Sequence, residues 1–200
     1  MRYRRTSGFQ GQDDGMTLVE VLVTMVIAGI VGGISVSALT ATLGFGRTVD
    51  DRAKTQQQAQ LAVDQIASQV RSGNVLYAPE EVGEGWRLTV YTQANRDQKC
   101  VEWELLTTGE LRSRSWAPGW AENNSNADVS DWRVVATGLG NSETGVTPFA
   151  VPSEAPYGSR LLTVDLVLVG DRGATTRIST AATGRNTVYQ YDESVCGDRP

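Results

Sequence analysis

Residues 15–39 read GMTLVEVLVTMVIAGIVGGISVSAL. From Leu18 to Leu39 the only ionisable residue is Glu20. As a helix this stretch rises about 33 Å, the depth of a hydrocarbon core of roughly 30 Å. A core helix of a soluble domain is rarely so long and so uniformly apolar. Ahead of it stands MRYRRTSGFQGQDDG, polar and carrying Arg2, Arg4 and Arg5. The positive-inside rule places this end in the cytoplasm and everything beyond about residue 42 outside. A secretory signal would have an apolar core of about 7–15 residues followed by a small-x-small site. Val36-Ser37-Ala38 supplies such a site, but the apolar stretch is too long and the leader carries Asp13 and Asp14. The other alternative is a plain signal anchor that keeps its leader.

Glu20 is the odd residue. A carboxylate in hydrocarbon costs a few kcal/mol even on lenient scales, about 3, so it needs a partner or a function. It lies close to the cytoplasmic boundary. Either it reaches the headgroups, or it pairs with a group supplied by another chain.

The run Gly15-Met16-Thr17-Leu18-Val19-Glu20, with the apolar span behind it, resembles the type IV prepilin and type II secretion pseudopilin family. The resemblance covers about the first 40 residues and demands a glycine, a glutamate at one spacing, a basic leader and an apolar span in register. It implies that a prepilin peptidase cuts between Gly15 and Met16, with Gly15 admitting the peptidase close to the backbone, and that the new Met16 amine is methylated. It implies too that Glu20, fifth in the mature chain, neutralises the N-terminal amine of a neighbouring pilin or pseudopilin subunit during assembly. A carboxylate and an ammonium, both poorly solvated, would offset each other's desolvation. Two positions depart from the usual pattern. Met16 stands where the family usually has phenylalanine, and Ser37 stands where major pilins often carry a helix-kinking proline. No proline occurs between Met1 and Ala78. These features fit a minor pilin or pseudopilin better than a major subunit.

Beyond Leu43-Gly44-Phe45-Gly46 comes a proline-free run rich in helix formers. Val49, Ala53, Gln56, Ala59, Val63, Ile66 and Val70 recur at steps of three and four, one stripe that is apolar except at Gln56. Gly73 is placed to end the helix. A helix from Met16 to Ser72 would be about 85 Å long, too long for one bilayer crossing. Its outer half is expected to lay the stripe on a sheet, and its inner half to pack on similar helices, with Gly29, Gly32 and Gly33 allowing close approach. Gly44 and Gly46 weaken the helix locally, marking a melted segment or a split between two helices.

From about residue 75 the pattern turns to short strands: Trp86–Thr92, Cys100–Leu106, Leu111–Trp116, Trp132–Thr137, Leu161–Val169 and Thr175–Thr180. Val101, Trp103 and Leu105 share one face of the second of these, with Glu102 and Glu104 on the other. A Gly170-Asp171-Arg172-Gly173 turn joins the last two. Short connections imply an antiparallel meander. Residues 117–130 and 138–160 read as exposed loops and as places for partner contacts. Two cysteines, Cys100 and Cys196, in a chain whose bulk lies outside the membrane read as one structural disulfide, against the alternative of two unrelated thiols.

The chain has 200 residues, no histidine and a net charge of −5. The lack of histidine removes the commonest general base and transition-metal ligand, and the acidic balance gives no reason to expect a nucleic-acid partner. No GxSxG, P-loop, HExxH or dinucleotide glycine pattern occurs. Glu102, Glu104, Asp128 and Asp131 lack EF-hand spacing. Arg112-Ser113-Arg114 beside Trp116 reads as a solvated strand face before it reads as a nucleic-acid contact. Asn123-Asn124-Ser125 fits a glycosylation sequon, and the five tryptophans read as core anchors before they read as an interface. The expectation is a non-enzymatic, cofactor-free α+β protein: a long N-terminal helix, membrane-spanning and then amphipathic, on a small antiparallel sheet. Its segments are a cytoplasmic leader (1–15), a transmembrane and assembly helix (16–42), an amphipathic extension (43–73) and an extracytoplasmic β domain (74–200). It would be a single-pass protein of the plasma membrane, cytoplasmic at its N-terminus, able to enter a surface filament.

Overall fold

The computed structural model describes residues 16–93, 96–119, 129–152, 160–169, 174–184 and 193–196. The chain forms two compact units, Met1–Val49 and Asp50–Pro200. Helix α1 (Leu18–Ser72) contributes to both and is unbroken in its backbone, including at Gly44 and Gly46, so neither glycine splits it. Gly73 begins the next element, where the sequence places the helix end.

Between Leu18 and Gly44 the side chains of α1 are exposed on every face, among them Leu18, Met25, Ile30, Ile34 and Leu39. This is the surface expected of a helix whose solvent is lipid or other helices. Leu18–Gly44 is long and apolar enough to cross a membrane.

The second unit is α+β. Strands β1 (Gly73–Leu76), β2 (Glu80–Val82), β3 (Gly85–Thr92), β4 (Lys99–Leu106), β5 (Leu111–Trp116) and β6 (Arg133–Ala136) form one antiparallel sheet, ordered β1-β3-β4-β5-β6, with β2 also on β3. Strands β7 (Phe149–Ala150), β8 (Leu161–Val169) and β9 (Thr175–Thr183) form a second sheet in that order. Two sheets therefore replace the single meander expected from the sequence. The chain leaves the first beyond β6 through Gly138, at φ +74°. Leu139 then bridges to Leu168, and the Gly140 N–H donates to the Val167 carbonyl at 2.7 Å. The stretch read as a loop over 138–160 thus carries a short helix α2 (Asn141–Thr144) and β7. Buried Asn141 fastens it to β8, accepting from Val167 N–H and donating to the Asp165 carbonyl. On the other side of β8, Arg177 and Ser179 of β9 bond to Asp165, and the Arg177 bond holds that carboxyl below its ordinary value.

One core serves the helix and both sheets. Ala59, Ala62, Val63, Ile66, Ala67 and Val70 of α1 pack with Leu88, Trp103 and Leu105 of the first sheet and Phe149, Leu162 and Leu166 of the second region. The buried stripe begins at Ala59, whereas Ala53 and Gln56 are exposed. The reason is rotation: each step of three turns about 300°, so two such steps put Ala53 about 120° away from Ala59. Gln69, on the buried side, accepts from the indole N–H of Trp103 at 2.8 Å.

The opposite face of the first sheet is buried as well. Glu102 and Glu104 are 0 % and 5 % exposed. Arg87 lies 2.6 Å from Glu102 and 3.2 Å from Glu104, Arg114 lies 2.7 Å from Glu102, and Arg112 lies 2.6 Å from Glu104. Trp132 stacks on the Arg112 and Arg114 guanidinium groups. Arg112 and Arg114 therefore form no solvated strand face. With Arg87 they neutralise two buried carboxylates, and they lock β5 against β4. Next to this ladder Cys100 and Cys196 are bonded, their Cα atoms 5.7 Å apart, in a small cluster with Tyr91 and Trp116. Trp103 and Trp116 are buried anchors, as the sequence reading expects. The Gly170–Gly173 turn, Asn123-Asn124-Ser125 and Asp128 lie outside the described residues.

Ile66→Ala is expected to destabilise the second unit by about 2–5 kcal/mol, and Ala53→Ser by no more than about 0.5 kcal/mol. Denaturant unfolding of the full chain followed by tryptophan fluorescence measures both. Equal effects would contradict the observed start of the stripe.

Candidate functional site

The first turn of α1 is built around Thr17. Its hydroxyl oxygen accepts the Glu20 backbone N–H at 3.3 Å, and its carbonyl accepts the Val21 N–H at 3.2 Å. Thr17 is thus the N-cap and Glu20 the third residue of the helix, the threonine-x-x-glutamate spacing of a capping box. This local device was readable in the sequence from that spacing alone. The box is only half closed. Among the described residues the Glu20 carboxylate returns no bond to Thr17 and has no other partner. Its place in the first turn sets it at the positive end of the helix dipole.

Every other polar side chain between Leu18 and Gly44 is satisfied by the helix itself. Thr24 donates to the Glu20 and Val21 carbonyls, Ser35 to Val31, Ser37 to Gly33, Thr40 to Val36 and Ser37, and Thr42 to Ala38, at 2.8–3.1 Å. Such back-bonding hides hydroxyls from lipid. Glu20 is the one polar side chain of that span without a bond among the described residues. Further along, a Cβ added at Gly29, Gly32 or Gly33 would meet nothing within 4 Å, so this patch is open to another helix.

The family described as the prokaryotic N-terminal methylation motif matches residues 12–36. The chain carries the prepilin-type signature. No curated protein and no solved structure matches it. The motif takes in Met16 and Glu20 together with the apolar start of α1, as far as Val36. Met16 is exposed at the start of the described chain. Gly15 and the leader 1–15 lie outside the described residues. Cys100 and Cys196 belong to the second unit and have no part in this site.

Thr17→Ala removes the cap and is expected to cost about 1 kcal/mol in the first turn. Amide hydrogen exchange of the full chain in detergent micelles should show faster exchange at Val19, Glu20 and Val21, with the middle of α1 unchanged. Unaltered protection at those three amides would rule out the cap.

Proposed function

We propose that this chain is a minor pilin or pseudopilin subunit, a structural protein cleaved after Gly15 by a prepilin peptidase, methylated on the Met16 amine and assembled through α1 into a type IV pilus-like or type II secretion filament. The observation that carries the reading is the lone Glu20 carboxylate in a span, Leu18–Gly44, whose other polar side chains are all self-satisfied. An α-amine titrates near about 7.7–8.0, so a released amine is largely ammonium at neutral pH. Methylation leaves that charge in place. In an apolar assembly, the Met16 ammonium of one subunit and the Glu20 carboxylate of the next each supply the counter-charge the other lacks.

The prepilin-type signature supports the peptidase as partner, and the absence of any proline before Pro79 supports a minor rather than a major role. The apolar N-terminal segment, residues 16–42, holds the subunit in the plasma membrane and later joins the filament core. The Gly29–Gly33 patch lets neighbouring helices approach closely. Leader 1–15 stays in the cytoplasm, and residues 74–200 face outward with their disulfide in an oxidising compartment.

Glu20→Val is expected to leave membrane insertion intact and to abolish incorporation. A subunit's amine then stays unpaired at a cost of about 3–5 kcal/mol. Membrane fractionation and sheared-filament immunoblots read the two steps separately. Normal incorporation of the variant would remove the assembly role of Glu20.

A further inference from the structure

The interface between α1 and the first sheet is apolar over β3 and β4 but polar toward β5 and β6. There a cavity of about 350 Å³ opens between Gln65 and Gln69 of α1 and Ser113 and Ser115 of β5, with Lys99 and Arg133 also in its wall. Gln69 and Ser113 are 9 % and 8 % exposed, positions that the rest of the interface gives to apolar side chains. Buried polar groups cost stability unless they are bonded.

The bonding here is one-sided. An indole N–H can only donate, so Gln69 must present Oε1 to Trp103. Gln65 likewise gives Oε1 to Arg133, at 3.4 Å. Both amide acceptors are occupied, and neither Nε2 has a partner among the described residues. The Ser113 and Ser115 hydroxyls have none either. The cavity therefore presents two free amide NH2 groups and two free hydroxyls, with a guanidinium and an ammonium close by. Arg114 in the same wall is neutralised by Glu102, and Lys99 faces Asp97 at 3.2 Å. Arg133 has no carboxylate partner among the described residues. Asp131 is the one acid of the wall, beside the Ser130 hydroxyl.

From this donor-rich wall we propose that the cavity binds a small hydroxylated carboxylic acid of the size and class of a sugar acid. The carboxylate takes the Arg133 guanidinium and the free amide donors, and the hydroxyls take Asp131 and the serines. The volume sits at the small end of ligand pockets, about 300–1,000 Å³. Arg133 is the one cation of the wall with no carboxylate partner among the described residues, and its guanidinium gives the carboxylate its place.

The test is a titration of the full chain in detergent micelles with D-glucuronate, with D-glucose as the neutral counterpart, reading the side-chain NH2 resonances of Gln65 and Gln69. The expected result is a saturable shift of both with glucuronate and none with glucose at equal concentration. Arg133 is exposed, so Arg133→Gln should keep the backbone spectrum and weaken glucuronate binding about tenfold or more. No saturable shift, an equal response to glucose, or undiminished affinity in Arg133→Gln would each overturn the proposal.

Discussion

Water does not tolerate the surface that Leu18–Gly44 presents. Its apolar side chains are exposed on every face of the helix, so the segment must be covered by lipid or by other protein. The other features of this segment follow from that demand. The hydroxyls of Thr24, Ser35, Ser37, Thr40 and Thr42 are turned back onto the helix carbonyls and need nothing from outside. Thr17 closes the first turn. What remains is one carboxylate, held at the helix start and satisfied by nothing among the described residues. A lone charge in an otherwise self-sufficient apolar helix is hard to explain as membrane anchoring alone, which any apolar span provides. The proposed second chain that brings an amine would account for it.

The second unit obeys the same rule about uncompensated polarity by different means. Its helix stripe is apolar from Ala59 to Val70, and the one polar intruder that reaches the core, Gln69, is bonded to Trp103. Glu102 and Glu104 are buried on the far face of the sheet, and three arginines neutralise them. The cavity beside Gln65 and Ser113 leaves two amide NH2 groups and two hydroxyls without a protein partner among the described residues, which makes it the place in this unit to look for a ligand.

Much of this was legible in the sequence because it rests on local patterns. The apolar span and the register of Gly15 and Glu20 need only spacing. The long strands β3, β4, β5 and β8 alternate or run apolar over six residues or more, and β8 has the bounds the sequence gives. Short elements were not legible: β1 has four residues, β2 three and β7 two, and their pairing comes from neighbours distant in the chain. The division into two sheets depends on Leu139 and Gly140 meeting β8, a contact no local pattern encodes. The alternation of Glu102 and Glu104 with Val101 and Trp103 looks the same whether the acids face water or face arginines. The arginines that decide it sit on β3 and β5. The sequence stripe extends beyond the buried one because steps of three and four look equivalent in sequence, while on a helix repeated steps of three drift off the face.

The central claim is that the chain becomes functional by exchanging its leader for a charged amine at Met16. The most direct measurement is the intact mass and N-terminal sequence of the membrane-extracted protein, with and without an active prepilin peptidase. The account predicts a chain that starts at Met16 and carries one added methyl group only when the peptidase is active. A chain starting at Met1 under both conditions would contradict it, leaving an anchored protein whose Glu20 has no amine to meet.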